Sequence, residues 1–374
     1  MQTPDHSIFD CAIVGGGLAG LCLAVQLAQR DLRVVLFEKQ RYPFHKVCGE
    51  YISMESWDFL ERLGVPLSDM DLPRIQRLGI SSQQGFMLEE TLALGGFGIS
   101  RYSLDATLAD LARRAGAVVL DGCKVQDLTG EDGDYRLATT QGDFQARLVC
   151  GSYGKISPAF IEHRPRPGRN YIGVKYHIEV DFPADRIELH NFHAGYCGIS
   201  RVDQGRYCLC YLTTAANLQT YGNDIGRMEQ AVLMRNPYLK RIFSTATFLY
   251  DKPLVISNVT FRAKDTDSQG AYLLGDAAGT IAPLCGNGMS MAIRAAALLA
   301  PVIDARLHEG LPAAQATRNY GRLWRQHFDR RIRVGYYLQY AFGNNTATHA
   351  ALRTLARTPR LLRSLIGLTH GMPF

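Results

Sequence analysis

Four glycines interrupt an otherwise apolar opening: Gly15, Gly16, Gly17 and Gly20 stand between Phe9-Asp10-Cys11-Ala12-Ile13-Val14 and Leu21-Cys22-Leu23. Three of them suit a phosphate-binding turn. Gly15 makes the turn tight, Gly17 lets bare backbone approach a pyrophosphate, and Gly20 lets the next helix pack on the strand. That helix would start at Leu18 and Ala19, whose free N–H groups lie at the positive end of its dipole. Glu38, with Lys39 beside it, closes the next β-branched run and is placed to accept a ribose hydroxyl. The set reads as a dinucleotide site.

Two further motifs stand far downstream in the chain. Arg101-Tyr102-Ser103-Leu104-Asp105 opens a helical pattern, and an arginine keeps its charge at every working pH. Ala271-Tyr272-Leu273-Leu274-Gly275-Asp276 is a short buried strand ending in Gly-Asp, followed by Pro283-Leu284-Cys285-Gly286-Asn287-Gly288-Met289 at a helix start. With three motifs in this order, residues 8–310 resemble the p-hydroxybenzoate-hydroxylase-like flavoproteins. That superfamily contains group A aromatic monooxygenases, flavin halogenases and geranylgeranyl reductases.

The resemblance implies an FAD cofactor with NAD(P)H as its reductant. Arg101 would approach the FAD phosphates or ribose, and Asp276 the ribityl chain. Val125 falls among the cofactor-binding positions. The helix start at Pro283, Gly286, Asn287, Gly288 and Met289 would face the flavin N1/C2 carbonyl region, where reduction places negative charge. Residues 41–53, RYPFHKVCGEYIS, resemble the Cys-Gly loop of geranylgeranyl reductases, which makes Lys46, Cys48 and Glu50 candidates beside the flavin.

This chain departs from the family in three places. Where aromatic hydroxylases carry Asp-Gly it has Tyr153-Gly154, which removes the usual NAD(P)H-docking acid and leaves Lys155 as a substitute. The halogenase W-x-W-x-I-P motif is absent, since Trp57 and Trp324 are the two tryptophans. The reductase sheet motif is replaced by Phe192-His193-Ala194-Gly195-Tyr196, so His193 and Tyr196, with Cys48, are the catalytic candidates. Two reactions fit. One is oxygen insertion into an aromatic or polyketide-type small molecule through a flavin C4a-hydroperoxide. The other is reduction of a C=C bond in an isoprenoid or polyketide chain.

The elements that must position these residues follow an interrupted order. Strand, glycine turn, helix and strand over residues 9–38 form a βαβ unit of about 30 residues. Helices are expected at 53–63 and 104–115, the latter opened by Ser103, with short strands from 117 to 150. Alternating runs at 170–181, 185–192, 196–202 and 205–212 read as an antiparallel sheet. Buried strand 271–276, a helix at 287–308 and a mostly helical 312–368 complete the chain. The expected class is α/β: a Rossmann-like FAD domain (1–75, 98–155 and 265–310), an inserted antiparallel-sheet substrate domain (76–97 and 156–264, after a linker-like 163–168) and a helical C-terminal region (311–374).

The 374 residues are 47% hydrophobic and 20% charged, which excludes a disordered or collagenous chain. Net charge is +6, but Thr317–Phe374 holds ten arginines against Asp329 alone, so the remainder is slightly acidic and is no nucleic-acid binder. That basic segment interleaves Leu352, Leu355, Leu361, Leu362, Leu365, Ile366 and Leu368 with arginines and could touch an anionic membrane surface. Nine cysteines without a CxxC pair, and no metal-ligand spacing, point to a reduced cytoplasmic protein without a metal.

Overall fold

The computed structural model describes residues 8–161, 170–259, 262–282, 284, 286–341 and 344–374. The expected linker at 163–168 and the candidate Pro283 lie outside them. Among the described residues ten helices run in chain order as α1 (Leu18–Ala28), α2 (Trp57–Leu63), α3 (Arg101–Arg114), α4 (Ala215–Thr220), α5 (Ile225–Ala231), α6 (Pro237–Thr245), α7 (Gly288–His308), α8 (Ala313–Ala341), α9 (Asn345–Ala356) and α10 (Pro359–Thr369).

The first sheet has a parallel centre. Strands Val118–Asp121, Val34–Glu38, Phe9–Val14, Gly142–Gly151 and Ala271–Leu273 lie side by side. A parallel sheet must be covered on both faces. One face carries α1, α3 and α7, and every residue of α1 is buried. The other packs under the hairpin Val125–Glu131/Asp134–Thr139, where Phe37, Tyr135 and Val149 meet. The strand at 271 breaks after Leu273, because Gly275 takes a positive φ of 62°. Helix α7 is long and apolar enough to cross a membrane, but it packs here against α1 and α8 with Ile293, Ala296 and Leu299 fully buried.

The second sheet joins Tyr171–Glu179, Tyr207–Thr214, Gly195–Arg201, Arg186–Phe192, Arg74–Ser81, Met87–Gly98 and Tyr51–Ser53. All of these pairings are antiparallel except Arg74–Ser81 beside Arg186–Phe192, which is parallel. The chain leaves for the first sheet between those two strands, and a long crossover of that kind is what a parallel pair requires. Period-two alternation splits this sheet. Tyr176, Ile178, Leu209 and Tyr211 pack under α4–α6, while Tyr196, Gly198, Ser200, Cys210 and Leu212 face a cavity toward the first sheet.

Helix α3 starts earlier than the sequence suggests. Ser100, not Ser103, is its N-cap, and its hydroxyl accepts from the Ser103 N–H. That extra turn brings Arg101 into the helix, with its side chain on the same face as Asp105. Helix α8 buries a column of Tyr320, Trp324 and Phe328, with ring centroids 6.2 and 4.5 Å apart. Helices α9 and α10 lie over the second sheet, Leu352 and Leu362 closing on Ile80 and Leu88. Leu352, Leu355, Leu362 and Ile366 are therefore packed on protein, while Leu361 is half exposed and Arg353, Arg357 and Arg360 point outward, and the structure adds no support for membrane contact.

Candidate active site

One cavity of ≈ 1660 Å³ runs from the glycine turn to the underside of α9 and α10. At the turn, a Cβ on Gly15 would sit 2.4 Å from the Ser152 carbonyl oxygen, and one on Gly20 2.2 Å from that of Gly15. These two glycines are demanded by packing, and Gly20 does not reach the cavity. Gly17 differs. Its backbone is extended (φ −86°, ψ −177°), and the space where a Cβ would stand is bounded by Arg101 Nη2 at 3.7 Å and Lys46 Nζ at 3.9 Å. A bare backbone facing two cations at the start of α1 is a cradle for a diphosphate.

Both cations are held in place. Arg101 makes a two-point pair with Asp105 at 2.7 and 2.8 Å, and Lys46 reaches the same carboxylate at 3.0 Å. Glu38 accepts from the Gly16 N–H at 3.1 Å and the Gln40 N–H at 3.0 Å, which fixes it at the strand end. Lys39, Val125, Leu18, Ala19, Gly275, Asp276, Gly286, Gly288 and Met289 also line the cavity. Gly286, at φ 66°, lies against the Tyr51 ring. The residues present fit an FAD: cradle, ribose acceptor, Gly275-Asp276 and the N-terminus of α7 all open on one space.

Two candidates, His193 and Asn287, end up elsewhere or in other roles. His193 is exposed in the turn between two strands, and its carbonyl accepts from Asn217 Nδ2 at 2.8 Å. It does not line the cavity, so the expectation that it is catalytic is corrected: Phe192 and Gly195 close the hairpin and put His193 at its tip. The Asn287 side chain is buried and donates to the Thr369 carbonyl at 2.7 Å, tying the start of α7 to the end of α10. Arg294 donates to the Met372 carbonyl at 2.8 Å, which docks the chain end beside it. Tyr196 is on the cavity wall, as is Cys48.

The chamber beyond the cradle is mostly aliphatic. Leu78, Ile80, Leu92, Ile187, Leu189, Leu212 and Ile256 supply it from the sheet, and Leu338, Leu352, Leu355, Leu362 and Ile366 from α8–α10. Tyr196, Ser200, Thr348, Thr369 and His370 are its polar groups.

Under the Cys48-Gly49-Glu50 loop lies a cluster that the motifs did not foretell in full. Glu50 sits at φ 55° and is completely buried. Lys175 Nζ donates to Glu50 Oε1, as does the Arg101 N–H at 2.8 Å. His177 Nε2 meets Oε2 at 2.6 Å, and Lys175 also donates to the Lys46 carbonyl at 3.2 Å. The Tyr250 hydroxyl bridges His177 Nδ1 at 2.8 Å and His45 Nε2 at 3.1 Å. Burial alone would raise the Glu50 carboxyl, but the His177 hydrogen bond and the Lys175 charge hold it down at about 2. Burial pulls the Lys175 ammonium down, and Cys208 and Glu50 more than reverse it. Among the described residues Glu50, His177 and Cys208 place ligand atoms within 4.8 Å of one another, and the Lys175 ammonium already on Glu50 supplies a cation there. A usable signal was present: Gly173, Lys175 and His177 alternate on one strand face, so two basic side chains share one side of a single strand.

Burial, then the Lys175 charge and the neighbouring His177, lower His45 to about 4 from 6.5. The folded protein therefore binds fewer protons than the unfolded chain between those values, and the stability that neutral His45 contributes is present above pH 6.5 and lost as pH falls toward 4. Urea midpoints are expected to fall across this window, with a smaller slope in His45→Phe. An unchanged slope refutes the assignment.

Residues 13–47 match the family of NAD(P)-binding Rossmann-like domains. A flavoprotein/dehydrogenase of Cytophaga hutchinsonii superposes with a TM-score of 0.79 over 96% of this chain and 92% of that one, at 17% identity. The chain therefore has the fold of that flavoprotein. Pseudomonas aeruginosa PqsL in complex with 2-aminobenzoylacetate shares this flavoprotein fold, with a TM-score of 0.73 over 91% of this chain and 98% of that one at 17% identity. Three sequence relatives lie near one quarter identity. Conditioned medium factor receptor 1 of Dictyostelium discoideum is 24% identical, covering 87% of this chain and 69% of its own. Digeranylgeranylglycerophospholipid reductase 2 of Methanothermobacter thermautotrophicus is 25% identical (85% and 83%). The 6-methylpretetramide 4-monooxygenase of Streptomyces rimosus is 26% identical (80% and 76%).

Proposed function

We propose that this flavoprotein is a monooxygenase of a bulky hydrophobic molecule, aromatic or polyketide-type, in secondary metabolism. The observation that carries the reading is the continuity of one cavity from the diphosphate cradle to the aliphatic chamber. At ≈ 1660 Å³ it is larger than the roughly 300–1,000 Å³ of a single small-molecule site, which leaves room for a cofactor and a substrate together. Bound FAD would supply the redox chemistry, taking a hydride from NAD(P)H and reacting with oxygen.

The chain's own residues do the rest. Gly17, Lys46 and Arg101 would hold the diphosphate, Glu38 a ribose, and Asp276 the ribityl chain. The N-terminus of α7 is set to stabilise negative charge that builds at the far end of the cofactor. The leucine and isoleucine wall excludes water from the reacting centre. Tyr196 offers a hydroxyl to orient a substrate across that wall. Lys155 stands on the cavity wall beside Tyr153, with its carbonyl tied to Lys264 Nζ at 3.3 Å, and is the group we assign to the phosphate of NAD(P)H.

Reduction of a C=C bond in an isoprenoid or polyketide chain is the second reading, favoured by the aliphatic character of the chamber. One experiment separates the two. The FAD-loaded protein is reduced anaerobically and mixed with oxygen, with stopped-flow absorbance and product analysis on phenolic and prenyl substrates. A transient flavin spectrum distinct from the oxidised and reduced forms, with one oxygen atom in the product, is the expected result. Featureless reoxidation, together with anaerobic saturation of a prenyl C=C, selects the reductase. Failure to take up FAD overturns both.

A further inference from the structure

The buried cluster under the Cys48 loop braces the cradle through the Arg101 N–H and the Lys46 carbonyl, and four of its side chains form an unbroken line of donors and acceptors. Tyr102 is 38% exposed and stacks on His45 at 4.6 Å between ring centroids. His45 meets the Tyr250 hydroxyl, Tyr250 meets His177 Nδ1, and His177 Nε2 meets Glu50. Glu50 borders the cavity beside Gly49, whose Cβ position is open space. We infer that His45, Tyr250, His177 and Glu50 form a proton relay between solvent at the rim and the cavity floor, serving the proton that flavin chemistry consumes or releases.

The chemistry of each member suits this. A hydroxyl between two imidazoles accepts from one and donates to the other, and each neutral imidazole carries one donor and one acceptor nitrogen. A proton arriving on His45 passes inward by three concerted exchanges. The His45 N–H breaks as a new Tyr250 O–H forms, the old Tyr250 O–H breaks as the His177 Nδ1–H forms, and the His177 Nε2–H breaks as the Glu50 Oε2–H forms. Because His177 and Lys175 hold Glu50 near 2, the protonated carboxyl is a short-lived uphill state that passes its proton on to the cavity at once. One proton moves, no electron moves, and ring and hydroxyl rotation resets the line. His45 is held near 4 and so is neutral in the working range, free to exchange with solvent. Lys175, hydrogen-bonded to the other Glu50 oxygen, and the Arg101 N–H keep the carboxylate from turning away. Arg206 is the other charge that acts on His45.

The inference rests on the flavoprotein reading, and its test tells the two apart. FAD-loaded protein in weak buffer is reduced by excess dithionite, with a pH-indicator dye and the flavin absorbance followed together at several starting pH values between 5 and 9. Reduction of FAD by two electrons takes up at least one proton, while oxidation of dithionite to bisulfite releases two as the flavin bleaches, so uptake is read as the dye change that remains after the release measured with an equal amount of free FAD is subtracted. Tyr250→Phe, which removes one hydroxyl and nothing else, is expected to slow proton uptake about 100-fold while flavin bleaching stays fast. His45→Phe gives the same separation of the two rates and is the second variant. Uptake that keeps pace with bleaching in both variants overturns the relay and leaves the flavoprotein standing. Failure of the parent protein to hold FAD overturns the flavoprotein reading and the relay with it.

Discussion

Gly17→Val leaves a folded protein that no longer holds FAD. The residue stands in extended backbone that any side chain adopts, and a Cβ there meets nothing closer than 3.7 Å. The fold therefore loses little, about 1 kcal/mol from the poorer helix cap. The valine methyls would fill the space between the α1 start, Lys46 and Arg101, where the diphosphate belongs. The expected loss is at least 100-fold in FAD affinity, about 2.8 kcal/mol. It is read from flavin titration of the apoprotein, with circular dichroism and thermal unfolding as controls. Gly15→Ala is the contrast: its φ of 110° and the 2.4 Å approach to Ser152 put the damage in the fold itself. Parent-like FAD affinity in Gly17→Val removes the cradle from this position.

The second large effect belongs to Glu50→Gln. The substitution keeps the shape and leaves the Lys175 ammonium, which is fully buried, without its counter-charge. Breaking a buried pair from one side costs about 3–5 kcal/mol, to be read as a drop in the urea midpoint. Lys175→Met added to Glu50→Gln is expected to recover most of it, because a buried pair removed together leaves no orphaned charge. The acid limb has a defined sign. Glu50 titrates near 2 in the folded protein against 4.5 unfolded, so its stabilisation is complete above 4.5 and is lost as pH falls toward 2. Glu50→Gln as stable as the parent would show that Lys175 does not depend on this carboxylate.

These two residues also mark how much was legible beforehand. Gly15, Gly17, Gly20 and Glu38 are readable because a phosphate turn and its helix fix residue types at short, fixed spacings, whereas Arg101, Gly275 and Asp276 are read only from the resemblance to the flavoprotein family. Parallel and antiparallel halves are readable from continuous against alternating apolar runs. His193 misled for a local reason: the Phe192–Gly195 hairpin places it at a turn tip, and residue type alone does not say which way a strand end faces. The start of α3 was missed by three residues because Ser100 and Ser103 are equally good caps by type, and only the observed Ser100–Ser103 bond distinguishes them.

The sequence by itself determined a dinucleotide half interrupted by a sheet and the glycine turn that opens it, while the Cys48-Gly49-Glu50 loop stood out only through its resemblance to that of geranylgeranyl reductases. Those are properties of neighbours along the chain, where steric and helical rules act over a few residues. Only the tertiary structure decided that Glu50 meets Lys175 and His177, that Tyr250 links them to His45, and that α9 and α10 roof an aliphatic chamber. Those contacts join segments more than 70 residues apart. They depend on sheet register, His177 opposite Cys208 and Lys175 opposite Cys210, and a slip of one residue would turn both bases to the α4–α6 side.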